Sequence, residues 1–195
     1  MSSIFTDGQY TRLWLQAIAR DPPPPSQLVQ RAGYSLNLFP DWGCESPGGH
    51  IFRGGSVADW LVMESATTTT SLPTDWDALF PLEKGGFVSK QVADALVPPP
   101  RLVVSGSEPV SAECSLRLQV DEARAFFGYA NYGSGGGRVY VLLARRGRLA
   151  WKIFLSLESQ LKRDNQLEAL RDQHRQAALV FGSLMLLEPT RSAES

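Results

Sequence analysis

The sequence is poor in the residues that build metal centres and disulfide scaffolds. Its 195 residues include two cysteines and two histidines, and no Cys-x-x-Cys pair is present. Structural zinc sites need about four ligands in closely spaced pairs, so the sequence excludes most of them. One disulfide between Cys44 and Cys114 is the most that the cysteines allow, and their wide separation does not imply it.

Long apolar runs and an excess of one charge are also lacking. The chain has 19 basic and 20 acidic residues, so no overall field favours nucleic acid or an anionic membrane. No run approaches the roughly 20 apolar residues that span a bilayer. The opening residues MSSIFTDG lack the basic start and apolar run of a secretory signal. Hydrophobic residues make up 43% of the chain, which predicts one soluble domain with a sizeable core.

The usual catalytic motifs are missing as well. The glycine-rich stretch 133–137 is not followed by Lys-Ser or Lys-Thr and opens a strand, so it fails as a phosphate loop. No Gly-x-Ser-x-Gly elbow is present. Cys114 lies on the apolar side of a predicted strand, which favours an inert thiol, whereas Cys44 follows a turn and is the more reactive candidate.

The two histidines occupy different kinds of position. His174 falls on the apolar stripe of a predicted helix, which favours a half-buried and satisfied side chain. His50 follows two glycines in a loop and is expected to be exposed. A metal site on both histidines would need a carboxylate such as Glu45 or Glu64, and we carry no residue forward as a metal ligand or a catalytic group.

An amphipathic helix is predicted near the amino terminus, over about 7–20. Apolar residues recur there at helical spacing; they are Tyr10, Leu13, Trp14, Ala17 and Ile18. Four prolines, 22–25, then form a stiff spacer. The helix either packs on its own domain or serves as an arm that docks on a partner.

The remainder reads as strands with two covering helices. Extended stretches are predicted at 33–39, 49–54, 57–66, 101–105, 112–120 and 123–133, one helical turn at 75–82, and a final short strand after Gly182. Helices are predicted at 85–100 and 159–181. The clearest element is a hairpin over 138–159 that turns at Arg146-Gly147.

These elements predict an α+β fold with a central antiparallel sheet of six or seven strands. The predicted domains are an arm at 1–25, a folded unit at 26–190 and a tail at 191–195. The stretch Phe39-Pro40-Asp41-Trp42 is interpreted as a structural corner in which Trp42 plugs the end of the first sheet strand.

Basic residues gather around the hairpin. They are Arg138, Arg145, Arg146, Arg148 and Lys152. A cluster of this kind is typical of a solvated hairpin tip, and its functional alternative is an electrostatic contact with an acidic protein surface. Nucleic acid is disfavoured because no aromatic platform lies within the turn.

The order of the elements resembles the PsbP family of photosystem II extrinsic proteins, within the wider Mog1/PsbP-like fold. The resemblance rests on a strand ending in Pro-x-Trp at Pro40–Trp42, a helix with Val-x-x-x-Val-Ala-x-x-Leu at 88–96, and the aromatic strand Phe126-Phe127-Gly128-Tyr129. A basic-Gly-basic hairpin and a long helix running into Gly182-Ser183-Leu184 complete it.

The resemblance implies an α/β/α sandwich and a non-enzymatic role on the lumenal side of a photosynthetic complex, as an extrinsic subunit or assembly factor. It implies membrane-protein partners. No cofactor is expected, because the acidic and histidine positions sometimes tied to metal binding in the family are not matched in this sequence. The residues expected to meet the partner belong to the arm and to the hairpin; they are Tyr10, Leu13, Trp14, Ile18, Arg145, Arg146 and Arg148. The alternatives are a cytoplasmic Mog1-like binder of a soluble protein, and a small enzyme or metal-binding protein that uses Cys44 and His50.

Overall fold

The computed structural model describes residues 27–45, 49–68, 72–80, 101–109, 118–131, 136–158 and 166–187. The predicted arm at 1–25, the predicted helix at 85–100 and Cys114 lie outside these ranges.

An antiparallel sheet of seven strands forms the centre of the described fold. Its strands are β3 (Gly43–Cys44), β4 (Ile51–Arg53), β5 (Trp60–Thr67), β6 (Arg101–Pro109), β7 (Glu122–Asn131), β8 (Gly136–Arg146) and β9 (Leu149–Glu158). They are arranged in the order β3-β4-β5-β9-β8-β7-β6, and every neighbouring pair is antiparallel. This confirms the predicted fold class and strand count.

A second sheet of three strands was not predicted. It consists of β1 (Gln27–Arg31), β2 (Tyr34–Leu38) and β10 (Met185–Leu186), in the order β1-β2-β10. The interpretation of 33–39 as the first sheet strand of the domain is therefore wrong, because β1 precedes it and both strands belong to the smaller sheet. Strand β1 was not predicted, because its polar sequence QLVQR buries only Val29. The turn from β1 into β2 depends on Gly33, whose φ is +92°.

Both faces of the central sheet are covered. On one face the three-stranded sheet and the helix α2 (Gln166–Gly182) share a core with the central strands. Their buried contributions include Tyr34, Leu36, Ala178 and Phe181. On the other face a single helical turn, α1 (Trp76–Leu79), supplies Trp76 to a second core.

Strands β8 and β9 contribute alternate side chains to the two cores. Eight consecutive residues of β9, 150–157, are buried, because the strand lies inside the sheet with both faces covered. Trp151, Ile153 and Leu155 enter the first core, whereas Ala150 and Phe154 enter the second. The sequence predicts the first of these faces, because apolar residues recur there at every second position.

Two predicted elements need correction. The predicted strand at 112–120 lies mostly outside the described residues, and its described end, 118–120, is a turn in which Gln119 has a φ of +54°. The hairpin turn is also one residue later than predicted, because Arg146 pairs with Leu149 and leaves Gly147 and Arg148 as the turn. Gly147 has a φ of +59°, which favours glycine.

Candidate functional site

The tip of the β8–β9 hairpin is fixed by neighbouring segments. The Gly147 backbone N–H donates to Asp121 Oδ2 at 2.6 Å, and the Thr68 backbone N–H donates to the Arg148 carbonyl at 2.8 Å. The Asp121 backbone N–H donates to the Arg145 carbonyl at 2.8 Å. The backbone of the turn is therefore held from both sides, including the carbonyl of Arg148.

The arginines of the hairpin do not form one solvated cluster. Arg145 is 3% exposed, and it donates from Nη1 to Thr74 Oγ1 at 3.0 Å and from Nε to the Gly147 carbonyl at 2.9 Å. Arg146 is half-buried and donates to the Leu186 carbonyl at 2.5 Å. Arg148 is exposed. Arg145 thus supports the turn from inside, whereas Arg146 and Arg148 are at least partly accessible to a partner. The role of the three residues in partner binding stays a prediction.

The other two basic residues of the predicted cluster are buried elsewhere. Arg138 is 4% exposed and donates to the Gln173 side chain, which places it at the far end of β8. Lys152 is 3% exposed and forms an ion pair with Glu64 of β5. The interpretation of these two residues as part of a solvated tip is wrong, because covering both faces of the sheet buries alternate positions on either side.

The arm residues of the predicted contact set are not described. Tyr10, Leu13, Trp14 and Ile18 lie before residue 27, where the described chain begins. Their role in partner binding stays a prediction.

Cys44 is the last residue of β3, and His50 directly precedes β4. The Cys44 thiol donates to the Gly49 carbonyl at 3.5 Å, and His50 Nδ1 lies 3.1 Å from Tyr34 Oη. The His50 ring also packs edge-on to Trp151. His50 is exposed, as predicted. Burial raises the pKa of Tyr34 to about 12, so its hydroxyl stays protonated and can hydrogen-bond to the imidazole.

These contacts indicate that Cys44 and His50 have a structural role. No group of three or more Cys, His, Asp or Glu side chains able to hold a metal ion occurs within the described ranges. Desolvation, with a smaller effect of Arg31, lowers the pKa of His50. A neutral imidazole beside Tyr34 is the form that this environment favours.

His174 is more deeply buried than the sequence predicted. It is 4% exposed, and its Nδ1 lies 2.8 Å from Tyr140 Oη. Burial, with a smaller contribution from the Arg138 charge, lowers its pKa to about 4. The residue is a neutral part of the core at physiological pH.

A cleft of about 430 Å³ opens at the end of β9 away from the hairpin tip. Four carboxylates border it, those of Asp41, Asp59, Glu158 and Asp172. The remaining lining residues are Phe39, Trp42, Leu157, Gln173 and Gln176. We name this feature the acidic cleft.

Asp59 organises one side of the acidic cleft. Its Oδ1 accepts from the Glu158 backbone N–H at 2.7 Å, and its Oδ2 accepts from the Ser56 backbone N–H at 3.2 Å. The pKa of this carboxyl is nevertheless raised, because desolvation outweighs those hydrogen bonds and the charges of Glu158 and Asp41 add to the effect. The carboxylate is thus held in place at an electrostatic cost.

Sequence patterns did not predict the acidic cleft. Its carboxylates come from four separate stretches of the chain, so no local spacing groups them. The one local signal was the Phe39–Trp42 corner, whose buried Trp42 confirms the structural interpretation. That corner also supplies Phe39, Asp41 and Trp42 to the wall of the cleft.

Comparison with known proteins gives likenesses of fold. No protein-family profile and no curated protein matches the chain. The structure is similar to that of cyanobacterial PsbP (CyanoP) from Synechocystis sp. PCC 6803, with a TM-score of 0.48 and 14% identity over 83% of this chain and 92% of that one.

A second similar structure is a protein from Bacteroides thetaiotaomicron, with a TM-score of 0.45 and 9% identity. The match covers 84% of this chain and 49% of that one, so this chain corresponds to about half of that protein. At these levels of similarity, the ligands and partners of those two proteins cannot be assigned to this chain. Among the residues that the structure describes, no helix is both long and apolar enough to cross a membrane.

Proposed function

We propose that this protein is a non-catalytic binding protein that docks on a photosynthetic membrane complex, with photosystem II as the first candidate. It acts as an extrinsic subunit or assembly factor at the lumenal side of the thylakoid. The resemblance of its element order to the PsbP family supports the setting. The fixed hairpin tip is the structural observation that supports a binding role.

The tip suits electrostatic docking because the backbone that carries Arg148 is positioned before a partner arrives. Hydrogen bonds with Asp121 and Thr68 hold this backbone, so it loses little conformational entropy on binding. Arg148 projects from this turn as an exposed cation. An arginine presented in this way favours a carboxylate surface on the partner, since a guanidinium pairs with carboxylates in a planar, two-point geometry.

In this proposal the arm at 1–25 provides a second contact. Its apolar stripe, which includes Leu13 and Trp14, would enter an apolar groove, as amphipathic helices do in many complexes. Two weak contacts joined by a short stiff spacer raise the affinity, because the second contact forms within an already tethered complex.

Co-sedimentation with photosystem II-enriched membranes tests the proposal. The full chain is expected to sediment with the membranes and to be released by added salt, because the contact at the tip is ionic. A chain that lacks residues 1–25 is expected to bind more weakly. Failure of the full chain to bind at low salt contradicts the photosynthetic role, and equal binding by the shortened chain contradicts the role of the arm.

A further inference from the structure

The acidic cleft has the composition of a site for an organic cation. Carboxylates of Asp41, Asp59, Glu158 and Asp172 surround it, and of the described residues that line it none is basic. Arg138 binds the Gln173 side chain and is itself buried, so it lies behind the wall. The cleft therefore presents negative charge to whatever enters it.

An aromatic wall adds a second kind of attraction. Phe39 and Trp42 form one side of the cleft, with ring centroids 5.3 Å apart and an interplanar angle of 51°. Phe39 is half-buried and lines the cavity, and Trp42, which is 5% exposed, also lines it and packs against the Phe39 ring. Cations with delocalised charge are attracted to such ring faces.

The spacing of the carboxylates argues for a large cation. They border the cleft but do not converge, since the described part of the chain holds no group of three or more acidic, histidine or cysteine side chains able to bind a metal ion. A guanidinium group is planar, pairs with carboxylates and stacks on aromatic rings, and so satisfies several spaced groups at once. The volume of about 430 Å³ accommodates such a side chain.

We propose that the acidic cleft binds an arginine side chain presented by a basic segment of a partner polypeptide. The rim supports a polypeptide source, because Asp41, Asp172 and Gln176 are exposed and leave the cleft open to a side chain that arrives attached to a larger molecule. This site is separate from the hairpin tip. The tip lies before Leu149 and the cleft lies at Glu158, at opposite ends of β9, about 30 Å apart at the usual rise per residue.

Charge removal at the exposed rim provides the variants for a test. Asp41→Asn and Asp172→Asn change side chains that are exposed, so the fold is expected to stay intact. Asp59 is not suitable, because it accepts two backbone hydrogen bonds. Asp77→Asn is the matched control, since Asp77 is an exposed carboxylate on α1, which packs on the other face of the sheet.

The experiment is a two-dimensional amide NMR titration of the full chain with a short arginine-containing peptide, with the same peptide carrying citrulline as the neutral counterpart. The arginine peptide is expected to shift the resonances of 39–42 and 172–176 and the indole N–H of Trp42. Citrulline is expected to bind about tenfold more weakly, and the Asp41→Asn/Asp172→Asn double variant about 3- to 10-fold more weakly, as the loss of exposed charge pairs predicts. Asp77→Asn is expected to bind as the native chain does.

Three results would overturn the proposal. The first is equal binding of the citrulline peptide. The second is a set of shifts at 146–148 with none at 39–42, which would assign the peptide to the hairpin tip. The third is binding of spermidine as tight as that of the peptide, which would make the cleft a site for small polyamines. The test does not involve membranes, so its failure leaves the proposed function unaffected.

Discussion

His174 is a base enclosed in the core between β8 and α2. Its pKa lies near 4, below the usual 6.5, because burial disfavours the imidazolium and the nearby Arg138 charge adds to that effect. Tyr140 Oη at 2.8 Å from Nδ1 suits the neutral ring. The folded state therefore resists protonation at this residue far more than the unfolded state does.

This difference predicts acid destabilisation with a defined pH window. As the pH falls from about 6.5 towards 4, the unfolded chain takes up a proton at His174 that the folded chain does not, so stability decreases. We expect a loss of about 1–2 kcal/mol between about pH 7 and pH 5 from this residue. Urea unfolding at both pH values measures it, with His174→Gln and His50→Gln compared with the native chain.

His174→Gln is expected to remove most of this dependence, whereas His50→Gln, at an exposed position, is expected to keep it. Asp59 acts in the opposite direction, because its raised pKa makes the folded state gain stability as the pH falls. An unchanged pH dependence in His174→Gln would contradict the assignment of a neutral core imidazole.

Gly54 and Gly55 differ sharply in the space around them. A Cβ at Gly54 would lie 2.5 Å from Trp42 Nε1 and 2.7 Å from Asp59 Cβ, whereas a Cβ at Gly55 would meet nothing within 4 Å. We expect Gly54→Ala to cost about 1–3 kcal/mol of unfolding free energy, because the corner that supports the acidic cleft must shift. Gly55→Ala is the control and is expected to change stability little; equal effects by thermal unfolding would contradict this packing.

Asp121 connects the loop before β7 to the hairpin tip by a hydrogen bond. Its Oδ2 accepts from the Gly147 N–H. We expect Asp121→Ala to cost about 1 kcal/mol and to speed hydrogen exchange at the Gly147 amide. Asp121→Asn retains an acceptor oxygen and is expected to stay close to the native chain; if both variants exchange as the native chain does, the tip is not held by this bond.

Strands β5 and β9 are joined by an ion pair between Glu64 and Lys152, which are direct partners in the register. Lys152 also lies 5.5 Å from the centre of the Phe80 ring. We expect Glu64→Leu to cost about 3 kcal/mol, because it leaves a buried ammonium without its carboxylate. The double variant Glu64→Leu/Lys152→Met is expected to recover most of that loss in urea unfolding, and a double variant as unstable as the single one would contradict the pairing.

The sequence predicted elements where a single period dominated. Strand β9 alternates without interruption, so both its extent and its two faces were evident. The sequence did not predict that Tyr34–Leu38 belongs to a small second sheet. Its neighbouring partner β1 is mostly polar, and its other partner, Met185–Leu186, lies far away in the chain. The burial of Arg138 and Lys152 was missed for the same reason, since a charged residue on a hairpin looks exposed until both faces of the sheet are known to be covered.

At the scale of the whole molecule, the two charged features lie at opposite ends of β9. The hairpin tip carries Arg148, and the far end of the strand carries the acidic cleft. Neither could be read from the near-neutral net charge of -1, because the charges balance over the chain and separate only in the folded structure. A protein with two such ends can contact partners of opposite charge without catalysing a reaction.

The proposed function depends on docking of the fixed hairpin tip on an acidic partner surface. Reversal of the charge at the tip is therefore expected to weaken membrane binding. In co-sedimentation with photosystem II-enriched membranes at low salt, Arg148→Glu is expected to bind about 3- to 10-fold more weakly than the native chain. Arg175→Glu makes the same charge change at an exposed position on α2 and is expected to bind as the native chain does. Equal binding by Arg148→Glu and the native chain would contradict the account.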